Sequence, residues 1–327
     1  MEELAAIAEA NGGYLMRRQL NELGITDDGI RARLRAGVLE RIRHGTYVVK
    51  VVWSMLDDTQ RHVVRSRAVL DRLGETVVAT HQTACALHGF DLWGFDLRNV
   101  HVTRLDGRQG RREAGVVYHQ GSVDPEELVE IDGRLTVDPV RSAIEAATSS
   151  SIEGGMVVLS SMMRVTGESK AQVSDRLRAF RHWPGVRRAD VALRLSDGRL
   201  ETVGEVRSMF MFWRFRMPVP DLQREIVDDD GRIVARLDFY WDAHRHAGEF
   251  DGLVKYGRLN PYSEKDVGRV LTDEKAREDA VRRRELGMSR WTWPELGSSV
   301  QSRTTSRIRV EMERSRRLYA RSRVHIA

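Results

Sequence analysis

One cysteine, Cys85, stands in a chain of 327 residues. A single thiol excludes an intramolecular disulfide and any cysteine-rich zinc site. No uninterrupted apolar run approaches the roughly 18 residues that a membrane-spanning helix needs. The opening residues, MEELAAIAEA, carry acids where a secretory signal would carry a basic stretch followed by an apolar one. Neither anchor nor signal is visible, so a cytoplasmic protein with no membrane partner is expected. Net charge is also small. Lys+Arg 53 against Asp+Glu 48 leave +5, too little in a chain of this length to name a partner. What is plentiful is apolar and charged residue together, 41% and 31%. That balance excludes whole-chain disorder. It suits two or three domains at roughly 100–200 residues each.

The charge is unevenly placed. From 29 to 50, six basic residues (Arg31, Arg33, Arg35, Arg41, Arg43, Lys50) face one acid, Glu40, and from 303 to 327 eight arginines face Glu311 and Glu313. Two basic stretches far apart in the chain suggest a polyanion touched at two places. Two solvated charged faces are the plainer alternative.

The first basic stretch has an order to it. Leu4, Ile7 and Ala8 recur at helical spacing over 2–10, and Asn11-Gly12-Gly13 stops the helix. A second helix fits 16–23 and ends at Gly24. Thr26-Asp27-Asp28 offers an N-cap with acids in the first turn of a third helix that Gly37 closes. Ile30 and Leu34, four apart, face inward, which turns Arg31, Arg33 and Arg35 to other faces. The run 38–49 then alternates apolar and polar residues around a turn at His44-Gly45, and it carries Arg41 and Arg43. Three short helices and a basic hairpin form winged helix-turn-helix order. In that order the third helix enters the DNA major groove and the hairpin lies along the backbone.

The stretch resembles the N-terminal domain of AbiEi-type type IV antitoxins. Gly13-Tyr14-Leu15, Leu23-Gly24-Ile25-Thr26, Ile30-Arg31-Ala32-Arg33-Leu34 and the run from Gly37 to Tyr47 carry the resemblance. It implies binding of double-stranded DNA, typically with repression of the protein's own operon. The DNA contacts would be Arg31, Arg33, Arg35, Arg41, Arg43 and His44.

The middle of the chain shows little chemistry. A helix is expected over 54–72, strands over 76–80, 99–103 and 115–119, and helices over 81–89, 138–148 and 152–163. The segments Thr80-His81-Gln82-Thr83-Ala84-Cys85-Ala86-Leu87-His88-Gly89, Val100-His101-Val102-Thr103 and Gly133-Arg134-Leu135-Thr136-Val137-Asp138-Pro139-Val140-Arg141-Ser142 resemble the C-terminal domain of the same antitoxins. His81 and His88 can share a helix face, and His101 and His119 fall on neighbouring strands. A histidine metal site is conceivable, but no carboxylate or thiol falls beside them at ligand spacing, so packed or capping histidines are the expectation. Cys85, among Ala84, Ala86 and Leu87, reads as a buried structural thiol.

The last segment holds the densest set of acids. A helix is expected over 201–212, with Val206, Met209, Phe210 and Trp213 as its apolar face and with Glu201 and Glu205 four apart on one side. A hairpin of strands at 222–227 and 233–241 contains Asp238, and a third strand at 246–252 contains Glu249 and Asp251. Carboxylates from one helix and two adjacent strands suit a hard cation such as Mg2+ or Mn2+. Such an ion activates water and offsets charge in phosphodiester cleavage. A helix at 273–285, a strand at 288–293 with Trp291 and Trp293, and an arginine-rich helix at 302–323 complete the chain.

This order resembles the PD-(D/E)xK nuclease superfamily, in its branch related to very-short-patch-repair endonucleases, over about residues 200–296. The resemblance rests on the run from Leu200 to Ser208, on Val234-Ala235-Arg236-Leu237-Asp238-Phe239, on the run from Gly248 to Arg258, on Glu274-Lys275-Ala276-Arg277-Glu278-Asp279, and on Arg290-Trp291-Thr292-Trp293. It implies metal ligation by Asp238, Glu249 and Glu201 or Glu205, with Asp251 a further acidic group. The superfamily's lysine is expected two residues after the strand acid, where this chain has Asp251. Lys255 or Lys275 could take that part, or the domain could hold nucleic acid without cutting it.

The expected architecture is α+β or α/β and multidomain. A winged helix-turn-helix fills 1–52, a mixed α/β domain 53–165, and a restriction-endonuclease-like fold, a central sheet flanked by helices, 166–327. The expected function is a DNA-binding AbiEi-like protein carrying a Mg2+-dependent endonuclease-like domain, in phage defence or toxin–antitoxin biology. The alternative is a type IV antitoxin and repressor, with a cognate toxin as partner, whose nuclease-like domain does not cleave. A protein-interaction scaffold that touches no DNA is a third reading.

Overall fold

The computed structural model describes residues 2–227, 231–252 and 285–319, without the side chain of Val234. The chain divides into two compact units, Met1–Leu193 and Arg194–Ala327.

The first unit begins with α1 (Glu2–Ala10), which buries Leu4 and Ala8. It ends at Gly12 and Gly13, both at positive φ. A β-carbon at Gly13 would lie 2.7 Å from Val64 Cγ2, so backbone angle and space both demand glycine there. Strand β1 (Leu15–Met16), helices α2 (Arg17–Glu22) and α3 (Asp27–Arg35), and strands β2 (Leu39–Arg43) and β3 (Thr46–Val49) follow. The three strands form one antiparallel sheet in the order β1-β3-β2. Leu4, Leu15, Leu20, Ile30, Leu39 and Tyr47 close the core beneath it.

Beyond this, the helix expected over 54–72 is two helices, α4 (Lys50–Met55) and α5 (Asp58–Leu73). Asp57 separates them. Its carboxylate accepts from the Gln60 N–H at 2.8 Å while the Gln60 side chain accepts from the Asp57 N–H at 2.9 Å, a reciprocal cap that starts a new helix. A six-stranded mixed sheet comes next, from β4 (Val77–Ala79), β5 (Val100–Arg104), β6 (Arg111–Glu113), β7 (Val116–His119), β8 (Leu128–Ile131) and β9 (Arg134–Val137), in the order β6-β7-β5-β4-β9-β8. Helix α6 (His81–Leu87) leaves β4, and α7 (Pro139–Ser149), α8 (Ile152–Thr166), α9 (Lys170–Leu177) and α10 (Val186–Leu195) follow β9. Val69 of α5 packs with Val78, Val100, Val102, Val116 and Val137 of the sheet. Cys85 is fully buried, as expected, and burial pushes its thiol far above the usual range.

The second unit holds α11 (Val203–Arg214) and strands β10 (Asp221–Val227), β11 (Ile233–Trp241), β12 (His246–Asp251) and β13 (Gly287–Thr292), then α12 (Gln301–Tyr319). The sheet order is β10-β11-β12-β13, antiparallel except for the β12–β13 pair. Its core is aromatic. Phe212 meets Phe239 edge-on at 5.3 Å and Trp291 at 5.5 Å, and Trp291 donates its indole N–H to Ser208 Oγ at 2.7 Å.

The buried face of α11 is not the expected one. Val206, Met211 and Phe212 are buried, whereas Trp213 is 44% exposed. Glu205, Arg207 and Ser208 are buried as well. Polar residues with internal partners therefore share the inward face, and apolar spacing alone misplaces it. The helix expected over 273–285 falls almost wholly on 253–284, outside the described residues, and so do 320–327. Among the described residues no helix is long and apolar enough to cross a membrane.

Candidate functional site

The basic surface of the first unit is built on a capped helix. Thr26 Oγ1 accepts from the Gly29 N–H at 3.2 Å and starts α3, with Asp27 and Asp28 in its first turn. Arg17 donates to Asp27 Oδ1 at 2.7 Å and ties α2 to that turn. Ile30 is buried and Leu34 half-buried against the core. This fixes the roll of the helix and leaves Arg31 and Arg35 exposed. Arg31 pairs with Asp28 one turn back. Arg33 is half-buried and donates to the Gly29 carbonyl at 3.1 Å. Of the six residues expected to meet DNA, four are exposed: Arg31, Arg35, Arg41 and His44.

The hairpin turns at Gly45, whose φ is 69°. Arg43, on its inner side, is half-buried. Burial and the neighbouring Arg72 together lower its guanidinium pKa from the usual arginine value. The exposed set can meet phosphates, while Arg33 and Arg43 are partly committed to the protein itself.

In the second unit the expected acids occupy distinct environments. Glu201 is not on the helix. It precedes the cap residue Thr202, so the expected pair of carboxylates on one helical face does not form. Instead Glu205 reaches back to accept from the Glu201 N–H at 2.9 Å and the Thr202 hydroxyl at 2.8 Å. Gln223 adds a third donor to Glu205 at 3.0 Å. Burial raises the Glu205 carboxyl pKa, and these donors oppose that rise. Glu201, half exposed, pairs with Arg236 at 2.6 Å.

The strand acids are set by register. The β11–β12 ladder runs from Trp241–His246 to Phe239–Gly248, so Asp238 and Glu249 each lie one residue past its end. Asp238 accepts from the Phe250 N–H at 3.0 Å. Glu249 is buried and pairs with Arg290 at 3.1 Å, its register neighbour on β13. Asp251, half-buried, lies beside Thr292. Lys255 and Lys275 lie outside the described residues. Among the described residues the C-terminal carboxylates form no set of three with ligand atoms all within 4.8 Å.

Two residues to which sequence reasoning assigned no role belong to this face. Gln223 has a φ of 55° inside β10, a left-handed angle costing about 1–3 kcal/mol for a residue with a β-carbon. Its ladder position falls opposite Asp238 between the Leu222–Phe239 and Arg224–Leu237 pairs. Arg290 is the other. Its pairing with Glu249 depends on the parallel β12–β13 contact, which no local spacing announces.

The comparisons with known proteins fall on the first of these two surfaces and beyond it. Two uncharacterized proteins of Mycobacterium tuberculosis, Rv2248 of strain H37Rv and MT2308 of strain CDC 1551, are each 25% identical to this chain over 233 residues. Each alignment covers 70% of this chain and 79% of the relative. Residues 2–50, the three helices and hairpin that carry the exposed arginines, match the family described as "Transcriptional regulator, AbiEi antitoxin".

Proposed function

We propose that this protein is a DNA-binding transcriptional regulator of the AbiEi antitoxin type, which docks on double-stranded DNA through α3 and the β2–β3 hairpin. One observation carries the reading. The segment matching that family is the one whose folded form presents Arg31, Arg35, Arg41 and His44 to solvent around a buried Ile30. Exposed guanidinium groups release counterions from the DNA backbone and provide most of the affinity, and a helix inserted in the major groove reads base edges. The experiment is a reporter fused to the protein's own upstream region. Wild-type protein represses it, and the Arg31→Ala/Arg35→Ala variant relieves repression at equal protein level. Equal repression by the two would remove α3 from the mechanism. An antitoxin role adds a cognate toxin as partner and a toxin–antitoxin or phage-defence setting. Co-expression with the product of an adjacent nucleotidyltransferase-like gene tests that part.

A second reading concerns the other unit: a Mg2+- or Mn2+-dependent endonuclease domain with Asp238 and Glu249 as ligands. The bond from the Phe250 N–H to Asp238, which ties that acid to the strand carrying Glu249, supports it, together with the strained Gln223 opposite Asp238. The Glu249–Arg290 pair and the engagement of Glu205 by three donors weigh against it. The Arg290 guanidinium takes a Glu249 oxygen that a hard cation would need. Mg2+-dependent nicking of DNA that Asp238→Asn abolishes would establish this reading. Intact DNA under Mg2+ and Mn2+ would leave the domain a binding module.

A further inference from the structure

Three histidines of the first unit, distant in sequence, converge. His81 opens α6, His101 lies in β5 and His119 ends β7. One ligand nitrogen from each lies within 4.8 Å of the other two. His101 Nδ1 and His119 Nε2 are 2.9 Å apart, and the rings of His81 and His119 stack at 3.9 Å. The topology explains the meeting. Strands β5 and β7 run parallel with Thr103 beside His119, so His101 and His119 project from one face two residues out of step. The Thr80 N–H bonds to the His101 carbonyl at 3.1 Å and brings the start of α6 over that face.

Packing alone explains this cluster poorly. The Gln82 amide can donate to His101 Nε2 at 2.9 Å, and His101 Nδ1–H can then donate to His119 Nε2. That chain leaves two buried atoms, His81 Nδ1 and Gln82 Oε1, with no hydrogen-bond partner among the described residues. Each omission costs about 1–3 kcal/mol. His81 also holds a φ of 54°, a strained angle that packing would not reward. Beyond its ring stands Glu145, fully buried, with Oε2 3.5 Å from His81 Nδ1 and Oε1 held by Arg141 at 2.8 Å.

We propose that His81, His101 and His119 form a binding site for a divalent first-row transition ion of the zinc type, with Glu145 as the carboxylate that orients His81. An all-imidazole set selects Zn2+ and its neighbours over Mg2+ or Ca2+. Zinc–imidazole bonds of about 2.0–2.1 Å place neighbouring nitrogens about 3.3 Å apart in a tetrahedron, so on binding the His101–His119 pair opens by a few tenths of an ångström and the stacked His81 and His119 rings turn out of parallel to bring both lone pairs onto the ion. Ligation through His101 Nδ1 moves its proton to Nε2. A half-turn of the Gln82 amide, which leaves its shape unchanged, then offers Oε1 as acceptor. A carboxylate behind a ligating histidine is the usual outer support of such sites. His101 and His119 are half-buried, so the ion has a route in. Three protein ligands leave a fourth position for water or a small ligand.

The test uses the full-length chain, stripped with a chelator and equilibrated with Zn2+, and Co2+ as a spectroscopic probe. The expected result is one ion per chain. The tetrahedral Co2+ absorption band should be present, and an X-ray absorption first shell should be made of imidazole nitrogen. His101→Gln and His119→Gln should each weaken Zn2+ binding at least about tenfold, with an unchanged circular dichroism spectrum, while exposed His182→Gln retains full binding. A wild-type chain that retains no stoichiometric ion overturns the proposal. So does a folded His119→Gln variant that binds as tightly as wild type. Should either variant fail to fold, the wild-type absorption spectrum decides: an oxygen-dominated first shell refutes the site.

Discussion

Replacing His62 by glutamine should remove a defined part of the acid sensitivity of the first unit. The His62 ring is fully buried. Its Nδ1 faces the Leu97 carbonyl at 2.9 Å and its Nε2 the Thr83 hydroxyl at 3.0 Å. Burial pushes its pKa down from 6.5 to about 4, with the Leu97 carbonyl opposing the shift. The folded ring therefore refuses a proton that the unfolded chain accepts. Between those two values the unfolded state binds more protons, so stability falls as pH drops from 6.5 towards about 4 and is unaffected by this group above that window. The full interval corresponds to about 3 kcal/mol, most of it lost by about pH 4.5. Glutamine can donate to Leu97 and accept from Thr83 without titrating. Urea unfolding of both full-length proteins at pH 7 and near pH 4.5 measures the difference. His62→Gln should lose about 2–3 kcal/mol less than wild type on acidification. Parallel losses would refute the assignment of a neutral, desolvated ring.

Other outcomes follow from the same geometry. Changing Arg31, Arg35 and Arg41 together to alanine should lower the slope of log affinity against log salt by about 3, at about 0.9 per phosphate contact, measured by anisotropy on duplex DNA. An unchanged slope would mean that these groups do not touch the backbone. Thr26→Ala should cost about 1 kcal/mol through loss of the α3 cap and should weaken DNA binding in step, since the helix frays at its first turn. In the second unit, a β-carbon at Gly204 would lie 2.0 Å from Phe250 Cε1. Gly204→Ala should therefore destabilise that unit by about 1–3 kcal/mol in urea unfolding, and a neutral result would show that the Phe250 ring yields freely. His246, held between Ser289 and Ser315 with its pKa pushed to about 4, gives the second unit the same acid window as His62 gives the first. An acid-insensitive second unit in the wild type would contradict that.

The legible parts of this chain are those whose signals are local. Thr26 capping α3, Gly45 turning the hairpin and Ile30 facing inward each depend on residues within a few positions, and the order of three helices and a hairpin follows from them. The strand acids Asp238 and Glu249 were likewise visible as acids in apolar runs. What escaped depends on pairing across long separations. Gln223 became a site neighbour through the β10–β11 register, and Arg290 through a parallel strand pair. His101 and His119 were legible as residues of neighbouring strands, but their meeting with His81 depends on β5 pairing with β7 past β6 and on the start of α6 bonding to β5. On α11 the signal itself misled. Glu205, Arg207 and Ser208 are polar yet buried with partners, so the apolar stripe ending at Trp213 pointed to the wrong face.

The central claim is that the first fifty residues form a sequence-reading DNA module. DNase footprinting of the full-length protein on the region upstream of its own gene, with unrelated duplex as competitor, tests it most directly. The account predicts a protected site that resists the competitor and disappears in the Arg31→Ala/Arg35→Ala variant. Protection that the competitor abolishes, or none even at low salt, would contradict it.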